Sequence, residues 1–476
     1  MKAIESARAR LGGVGGNVAA TPTLPVRVKA GFGLAEIGLS ATELMLQVYL
    51  LELYLRAGLS PLWAGVALTI AVIWDAVSDP LMGALVDRPA ASGTLNRRRL
   101  WIITAGCFLS AGAFGALFSP QEGGSQEALF MHLLVWYLIL NTALTMVGVP
   151  HLALVNDLAR SPEDRADLFG WRLVMGGLGL LLGLSLPALV ALFNEEATAE
   201  SGLSGFLLNR SGVGVVLGVL TACVGWLSVA AVWRRLTRPS NEPVKMKERV
   251  SLWEGLKGAM RLPAFRLLLL GFGAISVGRA LNASLALIFY KVSLGFEEIQ
   301  VSAMLLTLAV SIMVAAPLWV LAARRYPKGR VCVGGIAALT VLTSVVYPLF
   351  PEGVLWPVLV FAVVGGALVA SVVLLESLLS DVVELSRVES TAELSGSSYG
   401  LWRMVIKVSR AIGIALSAVF LWSVGYEKGA IEQSYFLGRA VAWAYGPGVA
   451  LFFAIGGWLV WKVNRNLTQD ISKKRE

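Results

Sequence analysis

Apolar residues gather in twelve long runs, each bounded by short polar or charged punctuation. The runs cover about 31–55, 62–87, 99–118, 129–157, 169–193, 212–235, 265–290, 298–322, 331–350, 354–385, 398–424 and 440–462. Each can cross roughly 30 Å of hydrocarbon as a helix, where every backbone polar group is paired within its own segment. The pattern predicts an all-α membrane protein with twelve transmembrane helices. The longest polar stretch between runs, 236–264, carries Arg238, Pro239, Asn241, Pro243, Lys245, Lys247 and Arg249 and separates six runs from six. The expected organisation is a flexible tail over 1–30, a six-helix bundle over 31–235, a linker over 236–264, a second six-helix bundle over 265–462 and a tail over 463–476. The Gly-rich start lacks the basic–apolar–small pattern of a signal peptide, so the first run is read as an uncleaved span.

The two sets of six echo each other. The second run ends at Pro80 with Arg88 eight residues on, and the eighth ends at Pro317 with Arg325 at the same offset. This points to a pseudo-repeated pair of bundles of the alternating-access kind. In that register Asp75 and Asp79 correspond to Ile312 and Ala316, so the carboxylates belong to the first half only.

Composition agrees with the pattern. Of 476 residues 56% are hydrophobic and 15% charged, against roughly 25% charged in soluble domains; the mean hydropathy is +0.71. A soluble core stops growing near about 250–300 residues, so a soluble enzyme, a disordered chain and a disulfide scaffold are excluded. Cys107, Cys223 and Cys332 have no paired spacing, and His132 and His151 are the only histidines, so no zinc site, disulfide framework or cofactor is expected. The net charge of +9 is topogenic. The side carrying both termini, span ends included, takes 30 of the 40 Lys and Arg; the opposite side takes Arg56, Arg210, Lys291, Lys428 and Arg439. That bias places both termini in the cytoplasm, and no nucleic-acid partner is implied. The chain is expected in the plasma membrane (the inner membrane, if bacterial) as a monomer.

A charge at mid-bilayer costs at least about 2.5–3.5 kcal/mol, yet here such charges cluster. Glu36, Glu43 and Glu52 lie in the first run, Asp75 and Asp79 in the second, Arg172 in the fifth, Arg279 in the seventh and Glu376 in the tenth. The eleventh carries Arg403, Lys407 and Arg410. Asp75 and Asp79 are four apart and share a helical face. Two such acids repel unless one is protonated or a cation lies between them, and their oxygens suit a hard cation such as Na⁺. An inert Asp–Lys pair locking two helices is the competing reading. Ser78 is expected about 100° round the helix from Asp79. Arg403 and Arg410 either line the site or snorkel to an interface. Glu376 is either a pocket residue or a neutral buried acid, and Glu36 and Glu52 are expected near the interfaces.

At these residues a family resemblance enters. Trp74-Asp75-Ala76-Val77-Ser78-Asp79-Pro80-Leu81-Met82-Gly83 resembles the second-helix signature of the glycoside–pentoside–hexuronide:cation symporters of the major facilitator superfamily, whose familiar type is the melibiose carrier. Three further blocks agree: Val149-Pro150-His151-Leu152-Ala153-Leu154 running on to Arg165 and Arg172, Leu378-Leu379-Ser380-Asp381-Val382-Val383-Glu384, and Tyr399 to Lys407 continuing to Gly425-Tyr426. The resemblance implies that Asp75 and Asp79 hold the coupling cation and that Thr145 helps line that site. It also implies that Lys407 links cation and solute sites and that Arg172 stands near the sugar pocket. The chain departs from the melibiose type at three places. Gly148 replaces a third acid, Gly38 or Leu39 replaces a sugar-binding aspartate, and Leu152 replaces a stacking tryptophan.

The resemblance thus implies two six-helix bundles around a central cavity, and a secondary transporter coupled to Na⁺ or H⁺ rather than an enzyme. Its solute would bind between the halves near Arg172, Glu376 and Arg279, with Glu43, Tyr399 and Arg403 as further lining positions. A sugar or glycoside is the family default, and a lysolipid or other amphiphile is the alternative favoured by the lost sugar-reading positions. A non-transporting membrane scaffold is a reading of another class; it predicts an interior with few ionisable groups.

Overall fold

A computed structural model describes residues 24–86, 94–121, 123–159, 161–196, 210–237, 260, 263–389, 395–430 and 433–473. Within these residues eleven helices are long and apolar enough to cross a membrane, and twelve when the bent first pair counts as one span. The tail over 1–23 and most of the linker over 236–264 lie outside the described residues.

The first span runs as Val26–Gly33, Ala35–Val48 and Leu50–Arg56, with a 46° bend at the break after Val48. It is followed by Pro61–Val86, Thr94–Leu117, Gln126–Leu158, Pro162–Glu196 and Arg210–Leu236 as the second to sixth spans. The seventh is Pro263–Ile288, the eighth Glu298–Arg325, the ninth Lys328–Val346, the tenth Leu355–Val369 with Leu374–Glu389, the eleventh Ser395–Ser423, and the twelfth Tyr435–Trp443 with Val449–Lys473. The first span starts before residue 31 because Lys29 anchors it there. Its ammonium is buried against Asp164 at 2.9 Å and Asp167 at 2.6 Å, both on the fifth span.

Local chemistry sets the ends of these helices. Ser125 caps the fourth span, its side chain accepting from the Ala128 N–H, and Glu297 with Gln300 forms a reciprocal capping box at the eighth. Gly58, at φ +103°, lets the chain turn out of the first span where an L side chain would be strained. The seventh span winds into a π-turn at Phe289–Ser293 and the twelfth at Ala444–Gly448, where Pro447 interrupts the helix. The two π-turns interlock: Phe289 stacks on Tyr445 with centroids 4.4 Å apart, and Tyr290 and Tyr445 share a hydroxyl hydrogen bond of 3.0 Å.

Packing sorts the spans by half. In the first six, the third packs on the fourth and sixth, the fifth on the first, and the second on the fourth. In the last six, the seventh packs on the eleventh and twelfth, the eighth on the tenth, and the ninth on the twelfth. The halves meet along two seams, second against eleventh and fifth against eighth, with a lesser contact between first and seventh. On the second span Trp63, Val66, Ile70, Ile73, Val77 and Leu81 form an exposed apolar stripe at helical spacing, which suits lipid. Asp75 and Asp79 lie on the opposite side, facing the other half.

Candidate functional site

The second and eleventh spans bring three charges together in the membrane interior. Lys407 Nζ lies 2.9 Å from Asp75 Oδ2 and donates to the Asp75 carbonyl at 3.1 Å. The same ammonium pairs with Asp79 Oδ2. From the fourth span, Thr145 Oγ1 donates to Asp79 Oδ1 at 3.0 Å and lies 3.4 Å from Asp75 Oδ1. Ser78 Oγ lies 3.2 Å from Thr145 Oγ1. The second span is held in register on the fourth by two bonds. Asn141 Nδ2 donates to the Ala71 carbonyl at 2.7 Å, and Trp74 Nε1 donates to Thr142 Oγ1 at 2.9 Å. Pro80, inside the helix, has no N–H to give the carbonyl one turn before it.

This is the grouping expected of Asp75, Asp79, Thr145 and Lys407. Ser78, about 100° round the helix from Asp79 as expected, is buried beside Thr145 in the cluster. It lies three residues after Asp75, and residues three apart share a face, so its place could be read from Asp75 rather than from Asp79. The carboxylate and hydroxyl oxygens form a hard donor set suited to Na⁺, and the carboxylates equally accept a proton. The Lys407 ammonium now satisfies the oxygens that such a cation would take. Side-chain exposures of 17% for Asp75, 37% for Asp79 and 21% for Lys407 leave the cluster open to solvent from within the protein.

Other mid-span charges pair around it. Arg410 donates from Nη1 to Glu43 Oε1 at 3.1 Å on the first span and from Nη2 to the Tyr137 hydroxyl at 3.4 Å on the fourth. The snorkelling alternative for Arg410 is therefore wrong: one turn beyond Lys407 on the same span, it is held inside by an acid of the other half. Tyr137 was not legible as a site residue, because nothing in its apolar run marks which way it faces. Arg172 donates from Nε to Glu36 Oε1 at 2.7 Å, so its charge is already matched within the first half. Glu36 is thus an internal counter-ion rather than an interfacial acid. Arg279 and Glu376 are solvent-accessible at mid-span, and each lies within electrostatic reach of the other. Arg403 is exposed on the eleventh span. Tyr399 is placed on that helix, with its side chain outside the described residues.

The positions that depart from the melibiose type have physical reasons. A Cβ at Gly38 would meet the Thr221 Cα at 2.7 Å. The first span packs there on the sixth, and an acid has no room. Glu43, not Gly38 or Leu39, is the first-span acid that faces the cavity. A Cβ at Gly148 would meet nothing within 4 Å, so the missing third acid leaves space.

The two ends of the bundle differ. At the end away from the termini, the buried Glu52 pairs with Lys291 of the other half at 3.3 Å and with Arg56, and Lys291 also pairs with Glu298 at 2.7 Å. Glu52 is therefore a buried tie rather than an interfacial acid. The Gly429 N–H donates to the Leu55 carbonyl at 3.0 Å across the same gap. At the end bearing the termini, the described ion pairs Lys29–Asp164, Arg99–Asp157 and Lys328–Asp381 each stay within one half. Among the described residues, ties across the halves are found at the far end, and the ion pairs at the end bearing the termini do not cross between them.

The chain is similar to several known proteins. The sodium-dependent lysophosphatidylcholine symporter 1 of Gallus gallus is 27% identical over 421 residues, covering 83% of this chain and 77% of its own. A putative sulfoquinovose importer of Salmonella typhimurium is 23% identical, covering 96% and 94%. A bacterial homologue of the human lysosomal transporter Spinster, solved in an inward-facing and unoccupied conformation, has the same fold at a TM-score of 0.61 and 15% identity, covering 94% and 97%. The profile of one family, described as MFS/sugar transport protein, matches residues 31–465, from the first span to the twelfth. The paired bundles, the charged interior and this match lead to one conclusion: the chain belongs to the MFS/sugar transport protein family, and is a major facilitator transporter rather than an enzyme.

Proposed function

We propose that this protein is a cation-coupled symporter of the glycoside–pentoside–hexuronide type, working by alternating access. The observation that carries the reading is the ion cluster in which Lys407 of one half bridges Asp75 and Asp79 of the other. In the ion-free carrier Lys407 is the counter-charge of both acids and ties the halves together. Na⁺ or H⁺ entering between the acids competes with the ammonium and frees it. A coupling ion shifts the conformational equilibrium only through its different affinity for the two states; displacement of a cross-half pair supplies such a difference.

With both termini taken as cytoplasmic, the ties across the halves at the far end support reading this conformer as inward-open. The solute binds between the halves, where Glu43, Arg279, Glu376 and Arg410 surround the cavity. The space at Gly148 and the lack of an acid at Gly38 favour a solute other than a galactoside. The two candidate solutes are a modified sugar and a lysolipid, since both kinds of solute appear in the names of relatives. A scaffold without transport is disfavoured by the cluster of charged side chains between the halves.

The test is uptake by the purified protein in proteoliposomes under an imposed Na⁺ or H⁺ gradient, compared with counterflow in its absence. Asp79→Asn is expected to abolish gradient-driven accumulation while sparing some downhill exchange. An Asp79→Asn carrier that concentrates solute as well as wild type does would remove this site. Melibiose should be neither bound nor accumulated; robust sodium-driven melibiose uptake would overturn the inference from Gly38 and Gly148.

A further inference from the structure

Arg279 is the charge that the cation cluster does not explain. It sits thirteen residues after Arg266 and twelve before Lys291, so at 1.5 Å per residue it is about 18–20 Å from charged positions near either end of its span. That is beyond the reach of a side chain that snorkels to an interface. From 271 to 290 every residue of the seventh span is buried or half-buried except Arg279. Its exposed guanidinium therefore opens on an internal space, and the acids that influence it, Glu376 of the tenth span and Glu43 of the first, lie on opposite halves around the cavity.

Three of the other mid-span cations are engaged, while Arg403, four residues before Lys407, is exposed like Arg279. Lys407 holds Asp75 and Asp79, Arg410 holds Glu43, and Arg172 holds Glu36. Among the described residues Arg279 makes no ion pair or hydrogen bond, although Glu376 is close enough to be felt. Glu376 is likewise exposed and in no ion pair among the described residues. A guanidinium at mid-membrane is costly unless something completes it, and its planar fork matches a carboxylate, phosphate or sulfonate. A neutral sugar offers no such partner.

We propose that Arg279 is the anion-reading residue of the solute site, that the transported solute carries an oxyanion, and that Glu376 receives donor groups of the same molecule. The proposal rests on the transport reading above and names its substrate class. The shared chemistry is an oxyanion beside hydroxyls or a cationic group, and two sources supply it: a sulfonated or phosphorylated sugar, and a lysophospholipid headgroup.

Binding to purified full-length protein separates these cases, measured by thermal shift and by competition at fixed Na⁺. The probes are sulfoquinovose, lysophosphatidylcholine and the neutral methyl β-glucoside. Wild type is expected to bind one of the first two and not the third; whichever binds identifies the source. Arg279→Gln should weaken that probe at least tenfold, Arg279→Lys should recover part of the loss, and Glu376→Gln should weaken it less. The stabilisation that wild type gains from Na⁺ or from a lowered pH, without any probe, should persist in all three variants, which shows that they fold with the Asp75–Asp79 cluster intact. The proposal is overturned if Arg279→Gln binds the anionic probe as wild type does, if wild type binds only the neutral glycoside, or if neither anionic probe binds. Ion-driven uptake of a neutral solute would sink this inference and leave the symporter reading standing. Arg279-dependent binding without any gradient-driven uptake would do the reverse.

Discussion

Thr145 offers one hydroxyl to two carboxylates, and Ser78 backs it from the same helix as the acids. A hydrogen bond of this kind contributes about 0.5–1.5 kcal/mol, so Thr145→Val should weaken Na⁺ or H⁺ binding roughly two- to tenfold while leaving the fold intact; ion titration by intrinsic fluorescence reads this directly. Lys407→Ala is expected to act differently. It leaves Asp75 and Asp79 uncompensated in the empty carrier, and breaking a buried pair costs about 3–5 kcal/mol. With Asp79 37% exposed, the loss should fall at the low end, seen as a lower melting temperature that Na⁺ restores. Asp75, Asp79 and Lys407 were legible in the sequence because charges inside apolar runs are costly and need a reason. Their partners were less so. That Arg410 meets Glu43 and Tyr137, or that Arg172 meets Glu36, depends on how each helix is rotated about its axis. An apolar run that touches lipid on one side and protein on the other leaves that rotation weakly marked.

At the scale of whole helices, the closed far end depends on a few close fits. A Cβ at Gly65 of the second span would fall on the Ala418 side chain of the eleventh, so these helices touch there only because Gly65 is bare. Gly65→Val should wedge the seam and favour the conformer opened at the far end. Lys291→Gln should act in the same direction by removing the tie to Glu52, worth about 1.5–3 kcal/mol for a bond to a charged group. Both changes are read by a cysteine placed at Gln47 in a cysteine-free background. An impermeant maleimide added from the side away from the termini should label it several-fold faster than in the parent; an unchanged rate in both variants would show that neither contact holds the far end shut. Each span was read in its place along the sequence, with ends up to eleven residues from those of the helices. The bend after Val48 and the π-turns at 289–293 and 444–448 were not, because they answer to packing between helices: Phe289 and Tyr290 find Tyr445 only once the seventh and twelfth spans have packed together in the second half.

For the molecule as a whole, the distribution of Lys and Arg predicts that tags at residues 1 and 476 are protected from external protease in intact cells; cleavage of either would reverse the orientation assigned to the open end. That orientation gives the Asp75–Asp79–Lys407 cluster an electrical meaning. Two carboxylates and one ammonium sum to one negative charge, and the paired Arg410–Glu43 and Arg172–Glu36 add none. Each elementary charge crossing the field is worth about 2.3 kcal/mol per 100 mV. With one cation bound the cluster is neutral, so for a zwitterionic solute the loaded carrier crosses without moving charge and the empty carrier moves all of it. An inside-negative potential then speeds the return step and the cycle generates current. For a solute bearing a net negative charge, loaded and empty carriers move the same charge in opposite directions and the cycle is electrically silent. A current recorded from reconstituted protein thus reads the charge of the cargo, because the carrier contributes a fixed sum of its own.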